Sequence, residues 1–204
     1  MMAKVAPTKA NLIKAKNSKE FSEKGFELLD KKRTVLIREM MSLMDKAKKI
    51  QKEISETFNE AYKALQYVNI TMGINNVEEL ALSIAKEEEY EILLKSVMGV
   101  EIPKVKYNKS KLDTEYGFFR TNPVLDIATT KFQEVKYLTY ELAEIENSVY
   151  KLAMEIKKTQ KRANALEKIQ IPKYKSQIKF IQETLEEKER EDFFRLKKIK
   201  SKKK

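Results

Sequence analysis

Three of the four glycines (Gly73, Gly99, Gly117) and two of the four prolines (Pro103, Pro123) of this 204-residue chain fall between positions 73 and 123. Both residue types are costly inside a helix. Proline lacks an N–H and its ring collides with the carbonyl four residues back, and glycine has the most backbone freedom to lose. Their clustering leaves two long, nearly unbroken stretches, so the chain reads as helix, irregular centre, helix. In the first stretch Leu29, Leu36, Leu43 and Ile50 form one heptad series and Met40, Ala47, Ile54 and Ala61 a second, continued by Phe58, Leu65 and Val68. In the second stretch Leu138, Ile145, Leu152, Thr159 and Leu166 run beside Val135, Leu142, Val149, Ile156 and Ala163. A narrow seam with a period near 3.5 residues belongs to a left-handed supercoiled helix and not to a broad amphipathic face.

Thr8, just after Pro7, is placed to cap an early start, so the first helix is expected over residues 8–70. The second is expected over 124–200, with 201–204 as a basic tail. At 1.5 Å per residue these are roughly 90 and 110 Å long. Around Pro172 the pattern restarts in a shifted phase, with Ile171, Ile178 and Leu185 beside Tyr174 and Ile181, and runs on toward Leu196 and Ile199. Pro172 forfeits the hydrogen bond to the Lys168 carbonyl, at about 3 kcal/mol in a regular helix, so either a kink or a helix end is expected near 172. Neither seam can be left in water. The simplest solution is an all-α fold, a long antiparallel two-helix coiled coil with residues 71–123 as a small central knob. Packing against another chain is the alternative that periodicity leaves open.

Within the knob, residues 75–92 (NNVEELALSIAKEEEYEI) read as a short helix. Residues 90–108 (YEILLKSVMGVEIPKVKYN) read as two β-leaning runs around Met98–Gly99, a β-hairpin whose Pro103 would confine its strand to an edge. Phe118 and Phe119 are expected to pack the knob against the coiled coil.

Charge is segregated along the chain. Residues 1–52 hold 14 Lys+Arg against 6 Asp+Glu and residues 195–204 hold 7 basic residues and no acid, whereas 53–194 carry a net −4. Folded back as a hairpin, the chain would have one strongly positive pole suited to an acidic partner surface or a polyanion. With no Cys and no His, disulfides, thiol chemistry, the usual zinc sites and histidine-based acid–base catalysis are excluded. No glycine-rich phosphate cradle is present, and no apolar run of about eighteen residues offers a bilayer span. The N-terminus MMAKVAPTKANLIKAK carries regular lysines and no apolar core, unlike a secretory signal. Carboxylate runs such as Glu87–Glu88–Glu89 and Glu186–Glu187 read as solvated helix faces, and Met40 as seam filler. No catalytic, cofactor-binding or metal-binding residue is expected. Arg33 and Thr159 intrude on seam positions, where polar groups can fix register at some cost in stability.

The segment KTQKRANALEKIQIPKYKSQIKFIQETLEEKEREDFFRLKKIK resembles the D subunit of V-type and A-type ATPases. The resemblance rests on a basic run into Asn164-Ala165-Leu166-Glu167, on Ile171-Pro172, and on Glu189-Arg190 through Phe194-Arg195-Leu196-Lys197. Pro7-Thr8-Lys9, the run Gly25-Phe26-Glu27-Leu28-Leu29 followed by Lys31-Lys32-Arg33, and Glu115-Tyr116-Gly117 resemble the family as well. Ala163 and Lys168 depart from it, standing where Val and an aromatic residue are common. The resemblance implies a non-catalytic central rotor axle of a rotary ATPase, whose coiled coil enters a ring of catalytic and non-catalytic subunits (A and B). It further implies that the middle region faces a small companion, the F subunit, and the funnel-shaped subunit that links to the membrane rotor. The chain would then be cytoplasmic, peripheral to the membrane, and would transmit torque between ATP hydrolysis or synthesis and ion translocation. Lys31, Arg33, Lys161, Arg162, Asn164, Arg190, Arg195, Lys197 and Lys198 are expected to include the ring-facing set, with the kink at Pro172 giving the axle different faces. The rival readings are a basic coiled coil that binds nucleic acid, and a coiled-coil chaperone or tether.

Overall fold

The computed structural model describes residues 6–83, 90–107, 116–117, 119 and 121–202. Helix α1 spans Lys9–Met72, α2 Ile74–Ala81, β1 Tyr90–Val97, β2 Val100–Tyr107 and α3 Pro123–Ala165. A π turn over Leu166–Gln170 leads into α4, Ile171–Lys202. The fold is mostly helical, a helix pair with coiled-coil spacing and a small two-stranded sheet. Its contacts divide it into two units, one of Met1–Val35 with Ile156–Lys204 and one of Leu36–Glu155.

In the first unit Thr8 caps the N-terminus of α1. Its hydroxyl accepts the Asn11 N–H at 3.2 Å and its carbonyl the Leu12 N–H at 3.0 Å, satisfying amides that the first turn leaves without helical partners. The apolar interior of this unit is Ala15 on α1, Ala163 on α3, and Ile171 and Ile181 on α4, with Ser22 and Thr159 buried beside them. The two segments run antiparallel. The Gly25 Cα faces the Leu166 side chain, Arg33 meets Gln160, and Lys9 pairs with Glu189 at 3.2 Å.

The shifted phase around Pro172 has a structural cause. Thr159 and Ala163 are buried and Leu166 is half-buried; the next fully covered position is Ile171, followed by Tyr174, Ile178, Ile181 and Leu185. The seam therefore steps by 4 and 3 residues everywhere except Leu166 to Ile171, which is a step of 5. At that step the Ile171 N–H bonds to the Leu166 carbonyl, an i→i+5 bond. The wider turn takes up one extra residue and returns the apolar stripe to the covered side. It also opens the helix where the Pro172 ring would meet the Lys168 carbonyl in a regular α-helix. The stretch expected as one helix over 124–200 is thus two α-helices joined by a π turn. Beyond Leu185 every described residue is exposed, Leu196 and Ile199 included, so the chain itself does not cover the last part of the expected stripe.

In the second unit Leu36, Ala61, Val68, Leu125, Ala128, Val135 and Leu152 are buried, with Ser148 beside them. Antiparallel pairing is marked by the edge-to-face contact of Tyr62 with Phe132, ring centroids 5.7 Å apart, and by Lys131–Glu60 at 3.1 Å. Val68, Tyr116, Leu125 and Ala128 form a cluster onto which Val77 and Leu80 of α2 pack. The Tyr116 hydroxyl donates to Asp126 at 2.5 Å. Tyr116 occupies this apolar site, whereas Phe119, expected to pack the knob against the coiled coil, is 83% exposed; Phe118 lies outside the described residues. The helix expected over 75–92 is also shorter. It ends at Ala81; residues 84–89 lie outside the described set, and Tyr90, Glu91 and Ile92 belong to β1, opposite Tyr107, Lys106 and Val105.

The hairpin turns on Met98 (φ 51°) and Gly99 (φ 78°), both left-handed, as a two-residue turn between twisted strands requires. Gly99 adopts that conformation without strain, but Met98 has a Cβ and does not. Met98→Asn should therefore stabilise the hairpin by about 0.5–1 kcal/mol. Amide exchange at Val97 and Val100 checks this, with slowing of about two- to fivefold expected.

Candidate functional site

All nine residues expected to face the ring, and Pro172, lie in the unit of Met1–Val35 and Ile156–Lys204. That unit carries 26 Lys+Arg against 11 Asp+Glu, net +15, while Leu36–Glu155 carries a net −4. The charge asymmetry seen along the sequence is thus a property of one contact unit.

The nine do not share one environment. Lys161, Arg162, Lys197 and Lys198 are exposed and, among the described residues, make no ion pair. Lys31, Arg190 and Arg195 are exposed and bound along their own helices. Lys31 meets Glu27 at 2.6 Å, Arg190 meets Glu186 at 3.6 Å, and Arg195 meets Glu191 at 3.6 Å and Asp192 at 3.7 Å. The Lys31 hydrogen bond, and then its charge, hold the Glu27 carboxyl below the usual range. Exposed pairs of this kind contribute only a few tenths of a kcal/mol each, so an incoming partner can replace them cheaply.

Arg33 and Asn164 are different. Arg33 is half-buried; its guanidinium reaches Asp30 at 2.5 Å and donates to the Gln160 side-chain carbonyl. The Gln160 amide in turn donates to Asn164 Oδ1 at 2.8 Å. The result is a polar chain, Asp30–Arg33–Gln160–Asn164, crossing from α1 to α3 next to buried Thr159 and one turn before the π turn. Among the described residues the buried Arg33 Nε has no hydrogen-bond partner. Gln160 and Asp30 were missed from the sequence. The available signal was the i,i+4 spacing of Gln160 and Asn164 flanking the polar seam position Thr159.

Near the end of α4, Glu186, Glu189, Arg190, Phe193 and Phe194 line a shallow recess with two exposed phenyl rings. In the other unit the hairpin is fixed to α3. Val105 N–H donates to Glu144 at 2.8 Å, Tyr107 OH to Glu141 at 3.2 Å, and the Tyr107 ring stacks on Tyr137 at 5.1 Å between centroids. Burial first, and then the Glu141 carboxylate, hold the Tyr107 phenol above its ordinary value. Among the described residues no three acidic groups converge on a metal position, and no helix is long and apolar enough to cross a membrane.

The family model for the ATP synthase D subunit matches residues 11–201. The D subunit of the V-type ATP synthase of Thermotoga neapolitana is 46% identical over 198 residues, 97% of this chain and 98% of that protein. The D subunits of the A-type ATP synthases of Pyrococcus abyssi and Pyrococcus furiosus are each 38% identical over 201 residues, 97% of this chain and 94% of theirs. The chain belongs to the ATP synthase D subunit family. As a member it is a non-catalytic central-stalk component of a rotary ATPase, working within a complex of other subunits. Readings as a nucleic-acid-binding coiled coil or as a chaperone or tether have no support beside this match.

The polar chain gives a test of packing against contact. Arg33→Met leaves Gln160 and Asp30 without their donor and should cost about 1–3 kcal/mol. The double variant Arg33→Met/Gln160→Leu should recover most of that loss, because an apolar pair replaces a network with an unpaired buried nitrogen. Urea unfolding of the wild type, both single variants and the double variant measures the coupling.

Proposed function

We propose that the basic unit is the end of the stalk that engages the catalytic ring of A and B subunits, and that the hairpin and α2 of the other unit serve the F subunit and the funnel-shaped subunit. The observation that carries this reading is the net +15 of one unit, much of it on exposed cations that are unpaired or paired only along their own helices. A turning axle needs contacts that form and break at each step. Solvated ion pairs satisfy that condition, whereas buried ones would hold the axle in one position. Differential contact with the ring's conformations is the only means by which the stalk can bias their affinities. Lys31, Lys161, Arg162, Arg190, Arg195, Lys197 and Lys198 fit the exchangeable role. Arg33 and Asn164 act first within the chain. Pro172, with the π turn before it, supplies the irregularity by which one helical stripe could present unlike faces.

Co-purification tests the whole reading. Tagged protein should recover A and B subunits with three catalytic subunits per stalk; recovery of nucleic acid alone, lost at high salt, would sink it. Neutralising Lys161, Arg162, Lys197 and Lys198 to Gln should slow association with the ring about tenfold at low ionic strength and much less at 0.5 M salt. Truncation from Phe193 onward should weaken coupling of hydrolysis to rotation while circular dichroism stays near that of the intact chain, because that segment covers nothing in the fold. Deleting Val97–Lys106 should leave ring assembly intact but alter binding of the companion subunits, and titration with purified F subunit reads that change.

A further inference from the structure

The two-stranded sheet has two outer edges, and the chain treats them differently. Because the turn is the two residues Met98–Gly99, Val97 and Val100 exchange main-chain hydrogen bonds, and inward and outward positions alternate from there. On β2 the outward set contains Pro103, which has no N–H, and Val105, whose N–H is taken by Glu144. The middle of that edge is thereby blocked. On β1 the outward set is Tyr90, Ile92, Leu94 and Ser96, and among the described residues none of their main-chain groups has a partner outside the hairpin. β1 has no Pro or Gly, and all of its residues except half-buried Val97 are exposed, with Ile92 and Leu94 each above 60%. An open, largely apolar, eight-residue edge of this kind is a template for strand addition.

The pattern of β1 is complementary to itself. Two copies laid antiparallel with Leu93 opposite Leu93 place Ile92 opposite Leu94 twice and Glu91 opposite Lys95 twice. The outward groups of Ile92 and Leu94 then exchange hydrogen bonds, and the charges occupy the non-hydrogen-bonded sites, where opposing side chains approach most closely. Sliding the register by two residues puts Lys95 opposite Leu93 and loses both charge pairs. The existing Glu91–Lys106 contact, 3.7 Å and exposed on both sides, does not compete strongly.

We propose that β1 is a self-association edge: two copies of the chain outside the assembled complex join their hairpins through antiparallel β1–β1 pairing centred on Leu93. The area is small, so the dimer is weak and reversible.

Sedimentation analysis of the full-length isolated chain over a concentration series should show a monomer–dimer equilibrium. Lys95→Glu alone and Glu91→Lys alone each oppose like charges and should raise the dissociation constant about tenfold. Mixing the two variants restores opposite charges at both sites and should restore the dimer. The chain has no cysteine, so Leu93→Cys under mild oxidation should form a symmetric disulfide dimer, and the exposed control Glu101→Cys on β2 should not. A chain that stays monomeric throughout, a dimer that ignores the charge variants, or equal crosslinking of Leu93→Cys and Glu101→Cys would each overturn the proposal. Loss of F-subunit binding in Lys95→Glu without any dimer in the wild type would assign the edge to that partner instead.

Discussion

Everything in the structure depends on keeping a narrow apolar stripe covered along very long helices. A stripe of heptad spacing stays on one side only if the helices supercoil, and any extra residue rotates it off the covered side by about 100°. The step from Leu166 to Ile171 contains such a residue, and the π turn over Leu166–Gln170 is how the chain accommodates it. Without that turn, Ile171 and Ile181, the largest buried side chains of α4, would face solvent. Each would forfeit on the order of 1.5–3 kcal/mol of burial. Pro172 immediately after the turn is consistent with this, since it has no N–H to donate to the Lys168 carbonyl and its ring would crowd that carbonyl in a regular α-helix.

Long helices paired by a repeating seam also face a register problem, because a slip by one heptad restores most apolar contacts. Polar groups placed at unique positions make the slipped states costly. The chain from Asp30 through Arg33 and Gln160 to Asn164 is such a device in the first unit, since its bond between the helices, Arg33 to Gln160, forms at one register only. In the second unit the aromatic pair Tyr62–Phe132 and the ion pair Lys131–Glu60 mark a unique level in the same way. The hairpin is fixed more firmly than a two-stranded sheet could be by itself, because Glu144 and Glu141 hold β2 while Tyr107 stacks on α3.

The helical pattern was legible because Leu, Ile and Val at heptad spacing carry most of the signal. The early start of the first helix was expected, but the N-terminal extension of its seam was not, although Ala15 and Ser22 continue the series of Leu29 and Leu36 and are buried. Small residues look neutral in a sequence and matter only where two backbones approach. The hairpin could be read from Met98–Gly99 between β-leaning runs, whereas residues 90–92 fit both a helical and an extended pattern, and pairing with β2 decided between them. Phe119 shows the opposite error: hydrophobicity alone favoured burial, but Tyr116 fills the small apolar site and also finds an acceptor in Asp126. Of the candidate coupling residues, the charge segregation was visible in the sequence. The division between exposed and network-bound cations was not, because it depends on which residues of α3 oppose which residues of α1.

That division bears on how a stalk can be both rigid and able to turn. A residue that exchanges partners at each step must lose little when it lets go. Lys31, Arg190 and Arg195 meet this condition, since each rests against an exposed carboxylate one turn away on its own helix. Arg33 does not, because removing it from Gln160 and Asp30 would leave half-buried polar groups unpaired, a larger loss than a solvated contact returns. In the proposed coupling, rigidity and exchange would therefore fall to different cations of the same unit. The proximity of Lys31 and Arg33 in sequence hides the distinction: two residues apart on a helix, they point in different directions, one to water and one across the seam.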